Sequence, residues 1–418
     1  MNNNIPIDIA IFSFFLILIP IALISGPAIP DIILSLIAFY FLTKTFSQKL
    51  WKYYKNPIVI GSLLFSLYSF IRSLFSEMPT VSLTNEGSAF YFRYIFFSMG
   101  VWYLLDKNQK LSKQLMLSSV FCLLVVCFDG LYQYFSGFNI LGFPIHGEDR
   151  LTGLFGKEPI LGRYVAYISI FTFALFYENY KKTKKMMILS VAFLVLSEVI
   201  VFLTGERAPF FLISLFSILI LIFIPKFRFY RVMGILTSII IVVGIIELNP
   251  TAKKRMVNYT IEQVSQTSFP FLPYSKAHEE HYISALKMFN DFPIFGIGTN
   301  LYRFQSQKLI YSSSTYDINS HPHNYYIQTL SELGIIGFLF VFSFFLYLFF
   351  IGIKQLIFIL SSNKISLIPF QIFLYPMILF VYWWPIIPHM SFYNNWNNVL
   401  IMLPLGFFLR NFYGGGNK

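Results

Sequence analysis

Charge is scarce in this chain. Of its 418 residues, 12% are Asp, Glu, Lys or Arg, against 56% hydrophobic and 20% aromatic, and the mean hydropathy is +0.65. No stretch of about 100 residues has the polar surface of a soluble domain, so residues 1–418 are expected to form a single membrane domain. Acid is scarcer than base, with 19 Asp and Glu against 31 Lys and Arg and a formal net charge of +12. That base stands in short lysine clusters between apolar runs, not on one face with interleaved aromatics, which excludes nucleic acid as a partner. Cysteine is almost missing: Cys122 and Cys127 share one apolar run, where a thiol behaves as a small hydrophobe, and no disulfide framework is implied. HExxH and DxD-type carboxylate pairs are absent, and no cysteine joins the histidines, so neither a metal site nor a cofactor is expected. The N-terminus lacks a basic n-region and a small-residue cleavage site, and its first apolar run reads as a retained anchor.

What is present is a succession of apolar runs. They lie near 6–25, 28–43, 57–76, 89–105, 114–135, 159–177, 186–204, 208–224, 230–248, 325–352, 366–387 and 395–410. A hydrocarbon core of about 30 Å takes about 20 residues of helix to cross. The expected architecture is therefore all-α, with about twelve transmembrane helices. Short loops rich in Lys and Arg stay in the cytoplasm. Lys44, Lys49, Lys52 and Lys55; Lys107, Lys110 and Lys113; Lys181, Lys182, Lys184 and Lys185; Lys226, Arg228 and Arg231; Lys354 and Lys364; and Arg410 with Lys418 all fall in alternate loops or at the C-terminus. Both termini are thus expected in the cytoplasm. The opposite face receives 77–88 with Glu77 and Glu86, 136–158, the tight 205–207 turn, 388–394 and a large loop, 249–322.

That loop far exceeds ordinary connections, and structureless loops beyond about 12–15 residues are uncommon. Its aromatic and aliphatic content argues for order. "EEHYISALKMFNDFPIFGIG" (279–298) reads as an amphipathic helix stopped at Asp291 and Pro293 and followed by a glycine turn.

All six histidines (His146, His278, His281, His321, His323 and His389) fall on the non-cytoplasmic side, where imidazole is suited to proton transfer. Arginines on that same face run against the positive-inside trend: Arg207 in "TGERAPFFL", Arg150 and Arg163 flanking "RLTGLFGKEPILGR", and Arg303 in the long loop. Arg grips phosphate in a bidentate manner and stays charged near lipid. Arg207 alternatively pairs with Glu206 or snorkels to the interface. Glu198 lies within an apolar run, where an ionisable group is costly and either functional or tied into a buried hydrogen bond. A histidine base beside several arginines at a water–lipid boundary suits transfer of a group from a lipid-linked phosphate donor. Arginines would bind the diphosphate and stabilise the charge as it leaves, and imidazole would take the proton of the attacking hydroxyl.

"HPHNYYIQTLSELGIIGF" (321–338) contains a histidine, His323, then Asn324, nine residues, Gly334, two residues and Gly337. This pattern resembles the signature of the O-antigen ligases, in the superfamily that includes the O-antigen polymerases. "RAPFFL" at Arg207 is similar to the family's Arg-then-Leu motif, with the leucine one position late. "ALKMFNDFPIFGIGTNLYRF" (285–304) looks like its Pro-x-x-Gly-x-Gly segment at Pro293, Gly296 and Gly298, and "RLTGLFGKEPILGRY" (150–164) looks like its Arg-x-x-Gly-x-Phe segment. The likeness spans 150–340. It implies a GT-C type, inverting, metal-independent glycosyltransferase of the bacterial inner membrane with its active site facing the periplasm. Its donor would be an undecaprenyl-diphosphate-linked glycan. Its acceptor would be lipid A–core for a ligase, or a lipid-linked repeat unit for a polymerase, with membrane lipids around both. The implied general base is His323, with Arg207 at the donor's diphosphate; the candidate substrate-binding residues are Arg207, Arg150, Arg163, Arg303, His278, Asn324 and Glu332. Where the family often carries a second loop arginine ahead of a Trp, this chain has His278 before Tyr282. The residues themselves leave two other classes open. One is a transporter, which would tend to show inverted repeats and broken helices at mid-membrane. The other is a scaffold that binds a partner through the long loop.

Overall fold

In the computed structural model, residues 5–84, 88–147, 150–180, 183–225, 228–268, 274–312, 321–361 and 366–415 are described. Glu86, Lys181, Lys182, Lys226, Lys364 and Lys418 lie outside them, as do parts of the long loop, 269–273 and 313–320. The helices are α1 (Ile7–Ala22), α2 (Ala28–Gln48), α3 (Pro57–Leu74), α4 (Pro79–Thr84), α5 (Arg93–Lys107), α6 (Leu111–Ser136), α7 (Leu161–Tyr180), α8 (Lys184–Leu203) and α9 (Arg207–Phe223). They continue as α10 (Arg228–Leu248), α11 (Pro250–Lys253), α12 (Tyr259–Ser265), α13 (Lys276–Asp291), α14 (Tyr302–Gln305), α15 (Tyr325–Ser361), α16 (Phe370–Tyr382) and α17 (Asn395–Tyr413). Among the described residues there is no strand, only two isolated bridges, Phe138 with Pro144 and His146 with Arg150.

Each of the apolar runs marked in the sequence is occupied by a helix. Lipid offers no partner for peptide N–H and C=O groups, and a helix satisfies them within itself. Among the described residues, seven helical segments are long and apolar enough to cross a membrane; α9 and α16 are shorter apolar helices. The protein is an all-helical, polytopic membrane protein. Helix starts follow local chemistry: Asn56 accepts from the Val59 amide with Pro57 at the first turn, and Asn394 accepts from the Asn397 amide, which satisfies donors that a helix N-terminus leaves open. The run 366–387 shortens to α16, Phe370–Tyr382, because Pro385 and Pro388 follow and proline disfavours helical backbone before it.

The bundle has two distinct ends. At one, Lys44 pairs with Asp8 at 2.7 Å, and Asp106 accepts from Tyr53 at 3.0 Å and Arg410 at 3.2 Å. At the other, Arg93 bridges Asp31 and Asn395, both at 2.9 Å, and the Trp396 indole donates to the Leu23 carbonyl at 2.8 Å. The start of α1 and the end of α17 share the first end.

Glu198 on α8 accepts a hydrogen bond from Ser217 on α9 and is buried. On α10, Gly234 lies so close to α8 that a Cβ there would stand 2.4 Å from Val191 Cγ1. Of the two readings of Glu198, the buried hydrogen bond is the one its surroundings display, joining α8 to α9 as polar side chains do between membrane helices.

The long loop is built as expected at its centre. Helix α13 ends at Asp291, and its N-terminus is closed by a capping box between Ser275 and His278. The expected single helix over 325–352 is instead broken. Gly334 has φ +65° and ψ −167°, so α15 is two helices joined at a kink. The segment after α13 fills the break: Ile297 donates to Ser331 O at 3.0 Å, Gly298 to Glu332 O at 2.8 Å, and Ile335 to Pro293 O at 2.9 Å. Arg72 of α3 locks that segment from outside, giving bonds of 2.6–3.1 Å to the Phe295 and Gly296 carbonyls.

Candidate active site

At the end of the bundle opposite Asp106 and Arg410, the starts of α9 and α15, the 150–163 segment, the loop before α17 and the long loop enclose a cavity of about 710 Å³. Arg150, Arg163, Arg207, His278 and His323 all line it. Arg255, His321 and His389 line it as well.

Arg207 is the first residue of α9, released by the turn at Gly205, which has φ +70°. The proposed pairing with Glu206 does not form. The Glu206 carboxylate instead accepts the Gly162 amide at 2.6 Å. Burial pushes this carboxyl up to about 7, with Arg163 and Arg150 pulling against it. Gly162 is obligatory there, because a Cβ would sit 2.4 Å from Thr204 Oγ1. Arg163 itself lies over the Tyr167 ring at 5.8 Å.

The imidazoles form a cluster around His323. Its ring centroid lies 4.2 Å from that of His321, 5.2 Å from His278 and 5.9 Å from His281. Among the described residues, no group of three or more His, Cys, Asp or Glu is placed to hold a metal ion. His323 adopts φ +56°, a conformation that is uncommon outside glycine. The His389 amide holds it there by donating to the His323 carbonyl at 2.6 Å, and His389 is in turn stacked on Tyr325 at 4.0 Å. Burial, together with His281 and Arg163, lowers the imidazole of His323 to about 4. Burial and the neighbouring His323, His281 and Arg207 lower His278 to about 3. Both rings are neutral near pH 7. His278 Nδ1 accepts from the Ser275 amide at 3.3 Å, which leaves its proton on Nε2 and makes that atom a donor.

Three expected contacts lie outside the cavity wall. Asn324 caps α15, its Oδ1 accepting from Tyr326 at 3.0 Å and Ile327 at 3.2 Å, while its amide donates to the Pro385 carbonyl at 2.8 Å and that of Ile387 at 3.3 Å. Glu332 is fully buried and accepts from the Tyr302 amide at 3.0 Å and from Gln328 at 3.3 Å. Arg303 donates to Asn300 at 3.1 Å. These groups stand behind the site. Asn324→Ala is expected to destabilise the protein by about 1 kcal/mol, as loss of a cap does, and to lower activity more than that loss explains, since it frees the Pro385–Ile387 segment beside His389. Thermal unfolding and activity measured on the same preparation check this.

Sequence reading missed Arg255 and gave no role to His389. Arg255 sits in "AKKRMVN", where it looks like one more base in a lysine cluster. His389 is remote in sequence from every motif.

The fold and the cavity define a class: a multi-helix membrane protein with a cavity at one end of its bundle that is lined by guanidinium groups and imidazoles. Residues 190–342 match the family model described as O-Antigen ligase, a match that supports the O-antigen ligase superfamily. No curated protein matches the chain. The matched span holds Arg207, Arg255, His278 and His323, whereas Arg150, Arg163 and His389 reach the cavity from outside it.

Proposed function

We propose that this protein is an O-antigen ligase-type glycosyltransferase, inverting and metal-independent. It moves a glycan from undecaprenyl diphosphate to a sugar hydroxyl of lipid A–core at the periplasmic face of the bacterial inner membrane. The observation that carries the reading is that His323 and Arg207 open on one cavity with His278 between them. His323 takes the proton of the acceptor hydroxyl, whose oxygen attacks the anomeric carbon. The bond from that carbon to the diphosphate oxygen breaks, and the electron pair leaves with the diphosphate. Arg207 and Arg150 offset the charge that develops there, and His278 Nε2–H donates to it. Arg163 orders the wall through Glu206 and Tyr167. Asn324, Glu332 and Arg303 position the chain that bears the base. The cavity end takes the periplasmic side, the lysine-rich end the cytoplasm, and 249–322 becomes the large periplasmic loop of a twelve-span protein.

The test is reconstitution with an undecaprenyl-diphosphate glycan, offering lipid A–core and lipid-linked repeat units as separate acceptors. Glycan appearing on lipid A–core supports the ligase reading. Glycan appearing only on the repeat unit makes the protein a polymerase with the same site, and transfer to neither acceptor overturns both.

A further inference from the structure

Arg255 belongs to no motif in the chain, yet its side chain lines the same cavity as Arg207, Arg150 and His278. It is delivered by Lys254–Asn258, a π-helical turn set between α11 and α12. Such turns re-aim side chains and recur at functional sites. The facing residue is Gly205. A Cβ built there would stand 3.1 Å from Arg255 Cγ and 3.4 Å from Nε, and the Arg255 Nε–H points to the Gly205 carbonyl at 3.5 Å. Gly205 stands two residues before Arg207, so a single turn of chain releases one guanidinium and seats the other. Among the charges acting on Arg207, Arg255 comes ahead of Arg150. Like charges held together in a half-buried cavity repel. A ligand with more than one negative charge offsets that repulsion, and guanidinium forks match phosphoryl oxygens in geometry.

We propose that Arg255 is a second guanidinium ligand of the donor's diphosphate, closing on it from the side opposite Arg207. This rests on reading the cavity as the donor site. Arg207 and Arg255 then hold the diphosphate as a pair, and Gly205 sets the distance between them.

The experiment uses the purified full chain in detergent and measures binding of farnesyl diphosphate, farnesyl monophosphate and inorganic diphosphate. Arg255→Ala is expected to weaken farnesyl diphosphate by about 10- to 100-fold, the size of a lost charge-assisted contact, and to change the monophosphate by much less. Arg255→Lys recovers part of the loss. Gly205→Ala, which keeps both arginines but crowds Arg255, weakens the diphosphate in the same direction. Inorganic diphosphate binding as tightly as the farnesyl ligand identifies the shared anion as the recognised group. If Arg207→Ala weakens binding while Arg255→Ala and Arg255→Lys stay within about twofold of the parent, the inference falls and the donor site stands. If Arg207→Ala has no effect either, the donor-site reading falls and takes the inference with it.

Discussion

Replacing His323 by alanine is expected to lower glycosyl transfer by about 10²–10⁴-fold, the usual contribution of a general base, with donor binding changed little. The ring is half-buried at the cavity wall and is surrounded by other imidazoles, with no carboxylate in the cluster. Its backbone is held at φ +56° by the His389 amide, so the imidazole is presented rather than packed away. The pH profile gives a second reading of the same group. With the imidazole lowered to about 4 by burial, His281 and Arg163, the neutral base persists well below the ordinary histidine range of about 6.5. Falling pH protonates the ring and removes the base, so the acid limb of kcat/KM, which reports the free enzyme, is expected near pH 4. An acid limb near 6.5 would place the base on another, more exposed histidine. Full transfer by folded His323→Ala protein would remove the mechanism altogether.

Gly334→Ala is expected to abolish activity and to destabilise the protein by more than about 3 kcal/mol, the range reached when strained backbone and steric overlap combine. The backbone at Gly334 has φ +65° and ψ −167°, a region essentially reserved for glycine. A Cβ there would stand 2.2 Å from Ile294 O and 2.6 Å from Phe295 N, and those are backbone atoms that cannot swing aside. The opposing position, Gly296, meets the Glu332 and Leu333 backbone at 2.4 Å in the same way. These two glycines let the long loop cross the broken helix that follows His323, so losing either displaces the base from the guanidinium groups. Gly337 serves the same kink differently: its missing Cβ makes room for Leu333 of the preceding turn, not for another chain. Gly352, further along α15, has nothing within 4 Å, and Gly352→Ala is the matched control, expected to unfold at the parent temperature. Detergent-solubilised thermal unfolding of the two variants checks the contrast. Equal stability of Gly334→Ala and Gly352→Ala would mean that the loop does not dock there.

Much of this protein was legible in its residues. Apolar runs of spanning length fix helices because the bilayer leaves the backbone no other partner, and each run is helical. The end of α13 at Asp291 and the glycine turn after it followed from local chemistry, as did the facing of His323 and Arg207 toward one end of the bundle, because each depends on residues near in sequence. The break at Gly334 was half visible. The His323 motif marks Gly334 as a glycine position, but the segment that approaches it, Pro293–Gly298, is fixed only by tertiary hydrogen bonds.

The membership of the cavity was decided by tertiary structure. Arg255, looking like part of a lysine cluster, is turned into the site by a π-helical turn and a glycine in the turn between α8 and α9. Asn324, Arg303 and Glu332 belong to segments near the motif, yet their polar atoms are spent on the Pro385–Ile387 carbonyls, Asn300 and the Tyr302 amide. Sequence alone determined the helices and the residue types available at one face, because hydropathy and backbone satisfaction act locally. Which side chains meet an incoming ligand depends on partners hundreds of residues apart, and only the packed helices bring those together.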